Sequence, residues 1–552
     1  MKSLRFFTAL LVFALPVLAQ QPAAPEPPEE PASIFGEEID VRVVNVEVVV
    51  TDRQGNRVTG LGPGDFRLRV DGKDLPIEYF TEVRGGQAIA ADAAGAPVQG
   101  LPSLAPGSPV GTSYLVFIDD YFAIAQRRDE VLRTLMDDLG RLGPEDRMAI
   151  VAFDGAKIDM LSNWSGNERE LHRAFQQALG RRSYGFQRLA EIRNFESSRR
   201  LGTLGTVDSR AAFANRLDLE ELGYIEMLAD QVERIVLATV GTLRGFAAPP
   251  GRKVMLVLSG GWPFSPADYV LNNPSRPILN REVPRGEELY RPIVDTANLL
   301  GYTLYTVDVP GVDPFGPSAA DEGPSAGGLN LREQEVHSTL DFVAKQTGGR
   351  PLLNALRGGS LEAAASDTRS YYWLGFTPQR ERNDKRHDIR VESVRPGLQV
   401  RARDNYLDLS RKSEVSMMVE SSLLFGNPPG AASMPMQLGK PESSGRREMV
   451  VPVSLAIPLT SVTLVPYQGK YLAELELRVS ALDEKGNRSD VPVIPIRLSA
   501  ESEPPKQEGG HIRFDTRLKL RKIRQRLILA IFDPLSGKIT TAEADVAPPP
   551  DR

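Results

Sequence analysis

The chain has 552 residues, of which 41% are hydrophobic and 25% are charged. A chain of this length is expected to form roughly three or four folded units. Its 66 basic and 72 acidic residues leave a net charge of -6, so the overall balance predicts neither nucleic acid nor an anionic membrane as a partner. The absence of cysteine excludes disulfides, thiolate metal sites and cysteine nucleophiles.

Residues 1–19 have the pattern of a secretory signal peptide. A basic start at Lys2 and Arg5 precedes an apolar run and a small-residue ending at Ala19. We therefore expect a mature chain that begins at Gln20 and is exported, either to the periplasm or out of the cell. The apolar run is shorter than the about 20 residues that a membrane-spanning helix needs, and no later segment qualifies, so the mature chain is expected to have no transmembrane segment.

Four further segments lie before and after residues 112–366. Residues 20–38 are acidic and rich in proline, which predicts an extended linker. Residues 39–85 alternate apolar and polar positions, and the same period returns in residues 368–407. Each segment is too short to bury a core alone, so we predict that the two pair into one β-sandwich. Residues 413–548 predict a C-terminal β-sandwich-like domain.

Residues 112–366 predict an α/β domain. The apolar strand "YLVFID" is followed by an amphipathic helix and a second apolar strand, "MAIVAFD", which is typical of a βαβ unit. We therefore expect an open, doubly wound, mostly parallel sheet of Rossmann-like type, flanked by β-sandwich domains. A helical insertion is predicted at about 165–250, where apolar residues from 222 to 246 recur at spacings of three and four on one stripe of a long helix.

The stretch 181–210 within this insertion is rich in arginine, with seven Arg against three acidic residues. Guanidinium groups match carboxylates and phosphates, so the stretch could bind an acidic partner. A solvated helix face, with Glu191 and Glu196 interleaved, is the alternative. The candidate partner-binding residues are Arg181, Arg182, Arg188, Arg193, Arg199 and Arg200.

Several sequence segments within residues 40–407 resemble the von Willebrand factor type A (VWA) domain, specifically that of a bacterial, exported, VWA-related family. These are "VVVTDRQGNRVTGLGPGDFRLRVDGKDLPIEYF", "YLVFIDD", "GRKVMLVLSGG", "AKQTGGRPLLN" and "SYYWLGFTP". The resemblance implies an open α/β fold whose upper edge can hold a divalent cation. The implied ligands are a D-x-S-x-S motif after the first strand, a Thr on a middle loop and an Asp after the fourth strand.

This sequence departs from the implied metal motif. Asp119 matches its first position, but Tyr121 and Ala123 replace the two serines, and Ser259-Gly260-Gly261 offers no carboxylate after the fourth strand. Too few oxygen ligands remain to strip water from Mg²⁺. We therefore expect a degenerate site with no bound metal and no other cofactor, in which Asp119 and Asp120 are the residual candidates for Mg²⁺ or Ca²⁺. Alternatively, these two carboxylates cap the following helix.

No other motif predicts catalytic residues. The pattern from Gly323 to Gly327 fits G-x-S-x-G around Ser325, but it has no strand before it and so lacks the turn that exposes a hydrolase nucleophile. The histidines are far apart in the sequence and form no zinc-binding pattern. They are His172, His337, His387 and His511.

The sequence thus predicts an exported VWA-like module for binding or adhesion that is metal-independent and not an enzyme. The expected partner is a protein or surface polymer, of acidic character if the arginines bind it, and not nucleic acid. The alternative is an extracytoplasmic hydrolase of unknown substrate. We further expect residues 181–210 to form a helical cap over the Asp119 edge and to provide the main contact surface.

Overall fold

The computed structural model describes most of the chain after Val41, and these parts belong to one unit, Arg42–Arg552. The predicted signal peptide, the linker and Ser325 lie outside the described residues. The described ranges are 43–91, 107–202, 207–246, 251–271, 286–309, 326–353, 359–378, 383–410, 432–467, 469–483, 492–502, 510–536 and 538–549, with single positions between 413 and 419.

The N-terminal part forms short strands that alternate buried and more exposed positions, as half-buried strands do. A 3₁₀ turn, Pro63–Asp65, precedes the second of them. The strands are β1 Val44–Thr51, β2 Phe66–Val70, β3 Lys73–Leu75, β4 Tyr79–Arg84 and β5 Gln87–Ala91.

The central domain contains a six-stranded sheet. Its strands are β6 Thr112–Asp119, β7 Arg147–Phe153, β8 Ile158–Ser165, β9 Arg252–Ser259, β10 Tyr302–Asp308 and β11 Pro351–Leu352. The order across the sheet is β11-β10-β9-β6-β7-β8, and every pairing is parallel except that of β8 with β7. The middle strands are continuous apolar runs because helices cover both faces of the sheet.

The helices form two layers on this sheet. They are α1 Ala125–Asp137, α2 Glu168–Leu179, α3 Gly185–Gly202, α4 Val207–Gly245, α5 Pro266–Leu271, α6 Glu287–Leu300, α7 Ala326–Gln346 and α8 Ser360–Thr368, with a 3₁₀ turn at Asp138–Arg141. Leu132, Phe175 and Leu361 bring α1, α2 and α8 into the core on one face. On the other face, α4, α6 and α7 pack through Val232, Ile293 and Val343.

The helices of the predicted insertion differ from the expectation in one respect. α2 buries Leu171, Phe175 and Ala178 against the sheet, so it is an ordinary covering helix and not an added element. The C-terminal half of α4 also covers the sheet, through the apolar stripe predicted from the sequence. The additional structure is therefore α3 and the N-terminal half of α4.

The two segments on either side of the central domain lie in the same pair of sheets. The second segment supplies β12 Tyr371–Phe376, β13 Lys385–Ser393, β14 Gln399–Arg401 and β15 Asn405–Asp408. The sheets have the orders β14-β1-β12-β4-β5 and β15-β13-β2-β3. Val46 lies opposite Leu374 in the antiparallel β1–β12 pair, and both face a core shared with Leu68 and Ile389. The α/β domain is thus inserted between β5 and β12.

The C-terminal part consists of two further sheets that enclose a core of Val451, Leu477 and Leu529. Their pairings are antiparallel except that of β16 with β25, which is parallel. One sheet has the order β16-β25-β24-β21-β20, with β22 on β21, and the other has β17-β19-β18, with β23 on β19. A 3₁₀ turn lies at Leu459–Ser461. The strands are β16 Ala432–Ser433, β17 Met436–Leu438, β18 Glu442–Ser443, β19 Glu448–Pro458, β20 Val465–Tyr467, β21 Lys470–Asp483, β22 Val493–Ala500, β23 His511–Arg521, β24 Gln525–Phe532 and β25 Ile539–Val546. Over the part of the chain that the structure describes, no helix is long and apolar enough to cross a membrane.

Candidate functional site

The parallel strands β6 and β9 bring the two predicted metal-motif segments together. Ile118 lies opposite Leu258, so Asp119 and Gly260 leave the sheet side by side at its carboxyl edge. A Cβ atom on Gly260 would lie 2.3 Å from the backbone N of Ala123, so only glycine allows this close approach of the two loops. Gly261 has a φ of 107°, a conformation that glycine adopts readily, and the following residue is Trp262.

Asp119 is fully buried and accepts hydrogen bonds at both carboxylate oxygens. Oδ1 accepts from the backbone N–H groups of Tyr121 and Phe122, each at 3.0 Å. Oδ2 accepts from the N–H of Gly260 at 3.2 Å and from the indole Nε1 of Trp262 at 2.7 Å. Burial raises the pKa of Asp119 to about 7, while the hydrogen bonds from Trp262, Phe122 and Gly260 act in the opposite direction.

This donor set does not suit a hard cation. A carboxylate oxygen accepts about two hydrogen bonds, and each oxygen of Asp119 already has two donors. A cation would have to displace at least one of them, and the indole N–H would then be left unpaired in a buried position. The alternative that the Asp pair caps the following helix is wrong, because Ile124 is the N-cap residue of α1 and no side chain caps that helix.

Asp120 is also fully buried and binds two guanidinium groups. Nη1 of Arg128 lies 2.6 Å from Oδ1, and Nε of Arg181 lies 2.5 Å from Oδ2. Arg181 continues to Asp159 through Nη1 at 2.7 Å, and Nη2 of Arg128 donates to the carbonyl of Arg181 at 3.0 Å. Burial raises the pKa of Asp120, and the two arginines oppose that shift. Two guanidinium groups therefore supply the positive charge next to this carboxylate.

α3 begins directly on this edge of the sheet. The N–H of Tyr184 donates to the carbonyl of Asp120, and the N–H of Gly185 donates to the carbonyl of Ala123, each at 2.9 Å. Arg181 fixes the preceding residues through its ion pairs. The first turn of the arginine-rich stretch is therefore attached to the Asp119 edge by both backbone and side-chain contacts.

Arginine and tyrosine side chains alternate on the outer side of this edge. The guanidinium carbon of Arg182 lies 4.9 Å from the ring centroid of Tyr184, whose ring is 6.4 Å from that of Tyr121. Arg188 lies 4.5 Å from the Tyr121 ring and Arg234 lies 6.0 Å from it. Arg188 also donates from Nη2 to the Tyr121 hydroxyl at 3.1 Å. We call these five residues the arginine–tyrosine edge.

The structure separates the six predicted partner-binding arginines into different roles. Arg181 is part of the buried ion-pair network, so it supports the fold of the edge instead of facing a partner. Arg182 is exposed. The side chain of Arg188 is only 11% exposed and also contacts Glu191 and Gln231. The remaining three belong to α3, and their side chains lie outside the described residues: Arg193, Arg199 and Arg200.

Four important residues were not identified from the sequence. Trp262 directly follows Ser259-Gly260-Gly261, a segment whose one notable feature in the sequence is that it lacks a carboxylate. Arg128 is buried among the apolar positions of α1, and its place eight residues after Asp120 was a usable signal. Asp159 and Arg234 reach the edge from β8 and α4, and local sequence gives no sign of either contact.

Comparisons with known proteins do not identify this chain. It matches no protein-family profile and no curated protein. Among solved structures it is similar to the pilus adhesin SpaC from Lactobacillus rhamnosus GG, with a TM-score of 0.26 and 10% sequence identity. The similarity covers 79% of this chain, which spans 56% of the adhesin. A similarity of this degree carries no inference about family or function.

Proposed function

We propose that this chain is an exported VWA-like binding module in which arginine side chains, and not a cation, form the recognition surface. The observation that carries the proposal is the state of the Asp pair: Asp119 is bound by Trp262, and Asp120 by Arg128 and Arg181. The position at which a VWA-like domain would hold a metal is filled by protein donors. The proposed partner is an acidic protein or an acidic surface polymer.

The arginine–tyrosine edge has the composition of a contact surface. Tyrosine and arginine are enriched in protein interfaces and dominate their binding energy. Arg182 and Arg234 are exposed, and neither forms an ion pair with a carboxylate among the residues that the structure describes. Their charges are therefore accessible to carboxylate or phosphate groups of a partner.

This surface is also held in place before a partner arrives. Tyr121 lies two residues after the end of β6, and Tyr184 is fixed by its backbone hydrogen bond to Asp120. The Tyr121 ring packs edge-on against Phe122 with centroids 5.3 Å apart. Side chains that are ordered in the free protein lose less conformational entropy on binding, which favours affinity.

We also propose that the chain is not an enzyme. His337 on α7 lies 3.5 Å from Asp308 at the end of β10, which is a pairing seen in hydrolases. The end of the G-x-S-x-G pattern overlaps the start of α7 at Ala326, and His337 lies eleven residues further along this helix. The rise of a helix places these positions about 16 Å apart, too far for the histidine to act as base for a nucleophile at the helix start.

The test is a binding measurement with charge-neutral variants of the exposed arginines. Mature protein is used to recover a partner from envelope extract, and affinity for that partner is measured for the wild type and for Arg182→Gln/Arg234→Gln. We expect a loss of about tenfold or more at low salt, and a weaker dependence of the on-rate on salt.

The matched control is Arg133→Gln/Arg173→Gln, which removes two exposed arginines from α1 and α2 on the other face of the sheet. This variant should bind as the wild type does. Equal losses in both double variants would indicate a nonspecific charge effect, and undiminished affinity of Arg182→Gln/Arg234→Gln would show that the edge is not the contact surface. Circular dichroism checks that each variant is folded.

A further inference from the structure

Three arginines converge on a single buried carboxylate at the junction between the first β-sandwich and the α/β domain. Asp367 on α8 is fully buried and forms ion pairs with Arg57, Arg401 and Arg350, the last at 3.6 Å. The hydroxyl of Tyr305 donates to the same carboxylate at 2.8 Å. Arg57 and Arg401 belong to the sandwich, while Arg350 and Asp367 belong to the α/β domain. We call Arg57, Arg350 and Arg401 the arginine cluster.

The arginine cluster has more positive charge than Asp367 can balance. One carboxylate faces three guanidinium groups, which leaves two positive charges in excess. Burial, and after it the like charge of Arg401, lower the pKa of Arg57 to about 10. The pKa of Arg350 is lowered by burial and then by Arg401, which is the direction expected for like charges held together.

The cluster also has hydrogen-bonding capacity that the described residues do not use. The Nε atoms of Arg350 and Arg401 are buried and have no hydrogen-bond partner among the residues that the structure describes. The Nε of Arg350 faces Asp367 at 3.6 Å, which is beyond hydrogen-bonding distance. A buried donor without a partner costs about 1–3 kcal/mol. The side chains as a whole are nevertheless partly exposed: Arg57 by 24%, Arg350 by 37% and Arg401 by 26%. Small solutes can therefore reach them from outside.

We propose that the arginine cluster is a binding site for a tetrahedral oxyanion of charge about -2, namely phosphate or sulfate, either free or as an ester. Guanidinium groups bind such oxygens through paired N–H donors. A dianion supplies two negative charges, which balance the two excess positive charges of the arginine cluster. Its several oxygens can accept hydrogen bonds from different arginines. Asp367 holds the arginines from the buried side, so the ligand approaches from the exposed side.

Binding at this position connects two domains. Arg57 follows β1 and Arg401 lies in β14, whereas Arg350 precedes β11 of the central sheet. An oxyanion that contacts all three stabilises the folded junction, because a ligand that binds only the native state shifts the unfolding equilibrium by mass action.

The experiment measures the melting temperature of the mature protein in inorganic phosphate, in sulfate and in glycerol 3-phosphate, each compared with sodium chloride at equal ionic strength. We expect an upward shift of about 2–4 °C at saturating anion, which grows with the logarithm of anion concentration. A shift with all three ligands indicates that the site accepts esters; a shift with the inorganic ions alone indicates free anions. No shift beyond that in sodium chloride would overturn the proposal.

Variants distinguish anion binding at the arginine cluster from a general effect of salt on the melting temperature. Arg350→Gln changes the most exposed member, and Arg57→Gln changes a second one if the first does not fold. Each should lose the phosphate-dependent shift. The control Arg390→Gln removes an arginine that is 73% exposed on β13 and pairs with Glu392; it should keep the whole shift. A full phosphate-dependent shift in both cluster variants would contradict the assignment.

Discussion

The indole Nε1 of Trp262 donates a 2.7 Å hydrogen bond to Oδ2 of Asp119, a residue 143 positions earlier in the chain. The bond joins the loops after two adjacent parallel strands, and it fills an acceptor site that a divalent cation would need. Since Asp119 is fully buried, the stability of this edge depends on how well its carboxylate is satisfied by N–H donors.

Replacement of Trp262 by Phe should lower the free energy of unfolding more than a matched Trp-to-Phe change elsewhere. The reason is that Asp119 loses a donor in a buried site, at a cost of about 1–3 kcal/mol beyond the change in packing. The control is Trp373→Phe in the sandwich, a buried indole whose nitrogen forms no hydrogen bond to a described residue. Urea unfolding measures both. Equal destabilisation would mean that the hydrogen bond to Asp119 contributes nothing.

Asp119 should make the folded protein less stable as the pH rises. A surface carboxylate in an ion pair has the opposite effect, because its folded pKa is lowered. The folded pKa of Asp119, about 7, lies above the ordinary value of 3.8, so the folded protein holds this proton where the unfolded chain has lost it. The contribution is therefore complete below about pH 3, declines as the pH rises through the folded pKa of about 7 and is constant only above about pH 8.

Asp119→Asn, which cannot titrate, isolates this contribution. The difference in unfolding free energy between the wild type and the variant should fall by about 3 kcal/mol from pH 4 to pH 7. The variant also differs from the wild type in its absolute free energy of unfolding, because the amide N–H₂ group of Asn faces N–H donors. The diagnostic measurement is therefore the slope of the difference in unfolding free energy with pH. Parallel curves would show that Asp119 has an ordinary pKa.

Millimolar Mg²⁺, Mn²⁺ or Ca²⁺ should leave the melting temperature unchanged in protein first treated with a chelator. A cation that binds only the folded state must raise that temperature by mass action, and the oxygens of Asp119 are already occupied by N–H donors. An upward shift that disappears in Asp119→Ala would contradict the proposed metal-independent edge.

Tyr372→Phe should destabilise the first sandwich, because this hydroxyl connects the two segments from which it is built. The hydroxyl accepts from the N–H of Leu61 at 3.2 Å and donates to the carbonyl of Val58 at 3.0 Å. We expect a loss of about 1–2 kcal/mol in urea unfolding. Tyr467→Phe, at a side chain that is 43% exposed, is the control and should change little. A Tyr372→Phe variant as stable as the control would mean that this link is dispensable.

Sequence periodicity anticipated the elements that are regular and fully packed. Val131, Leu132 and Leu135 mark the buried face of α1, and the stripe that ends at Phe246 marks the sheet-covering half of α4. Periodicity did not separate α2 from the insertion. An amphipathic helix has the same apolar pattern in the sequence whether it packs on the main sheet or on an added element.

The details of the candidate site depend on contacts that are distant in the sequence. Asp119 and Asp120 could be placed at a strand end, but their partners come from α1, β8 and the loops before α3 and after β9. Arg181 was predicted to face a partner because charge density alone does not distinguish a solvated arginine from one in a buried ion pair. Only the three-dimensional arrangement shows which arginines remain accessible.

The insertion of the α/β domain between β5 and β12 has a mechanical consequence. The chain enters the first sandwich at β1 and leaves it after β15, and the antiparallel pairing of β1 with β12 joins the two segments on either side of the inserted domain. Tension applied to the chain on both sides of residues 44–408 is therefore carried by the hydrogen bonds and core of the sandwich. The α/β domain lies off this load path, so the arginine–tyrosine edge keeps its geometry while the sandwich resists the pull.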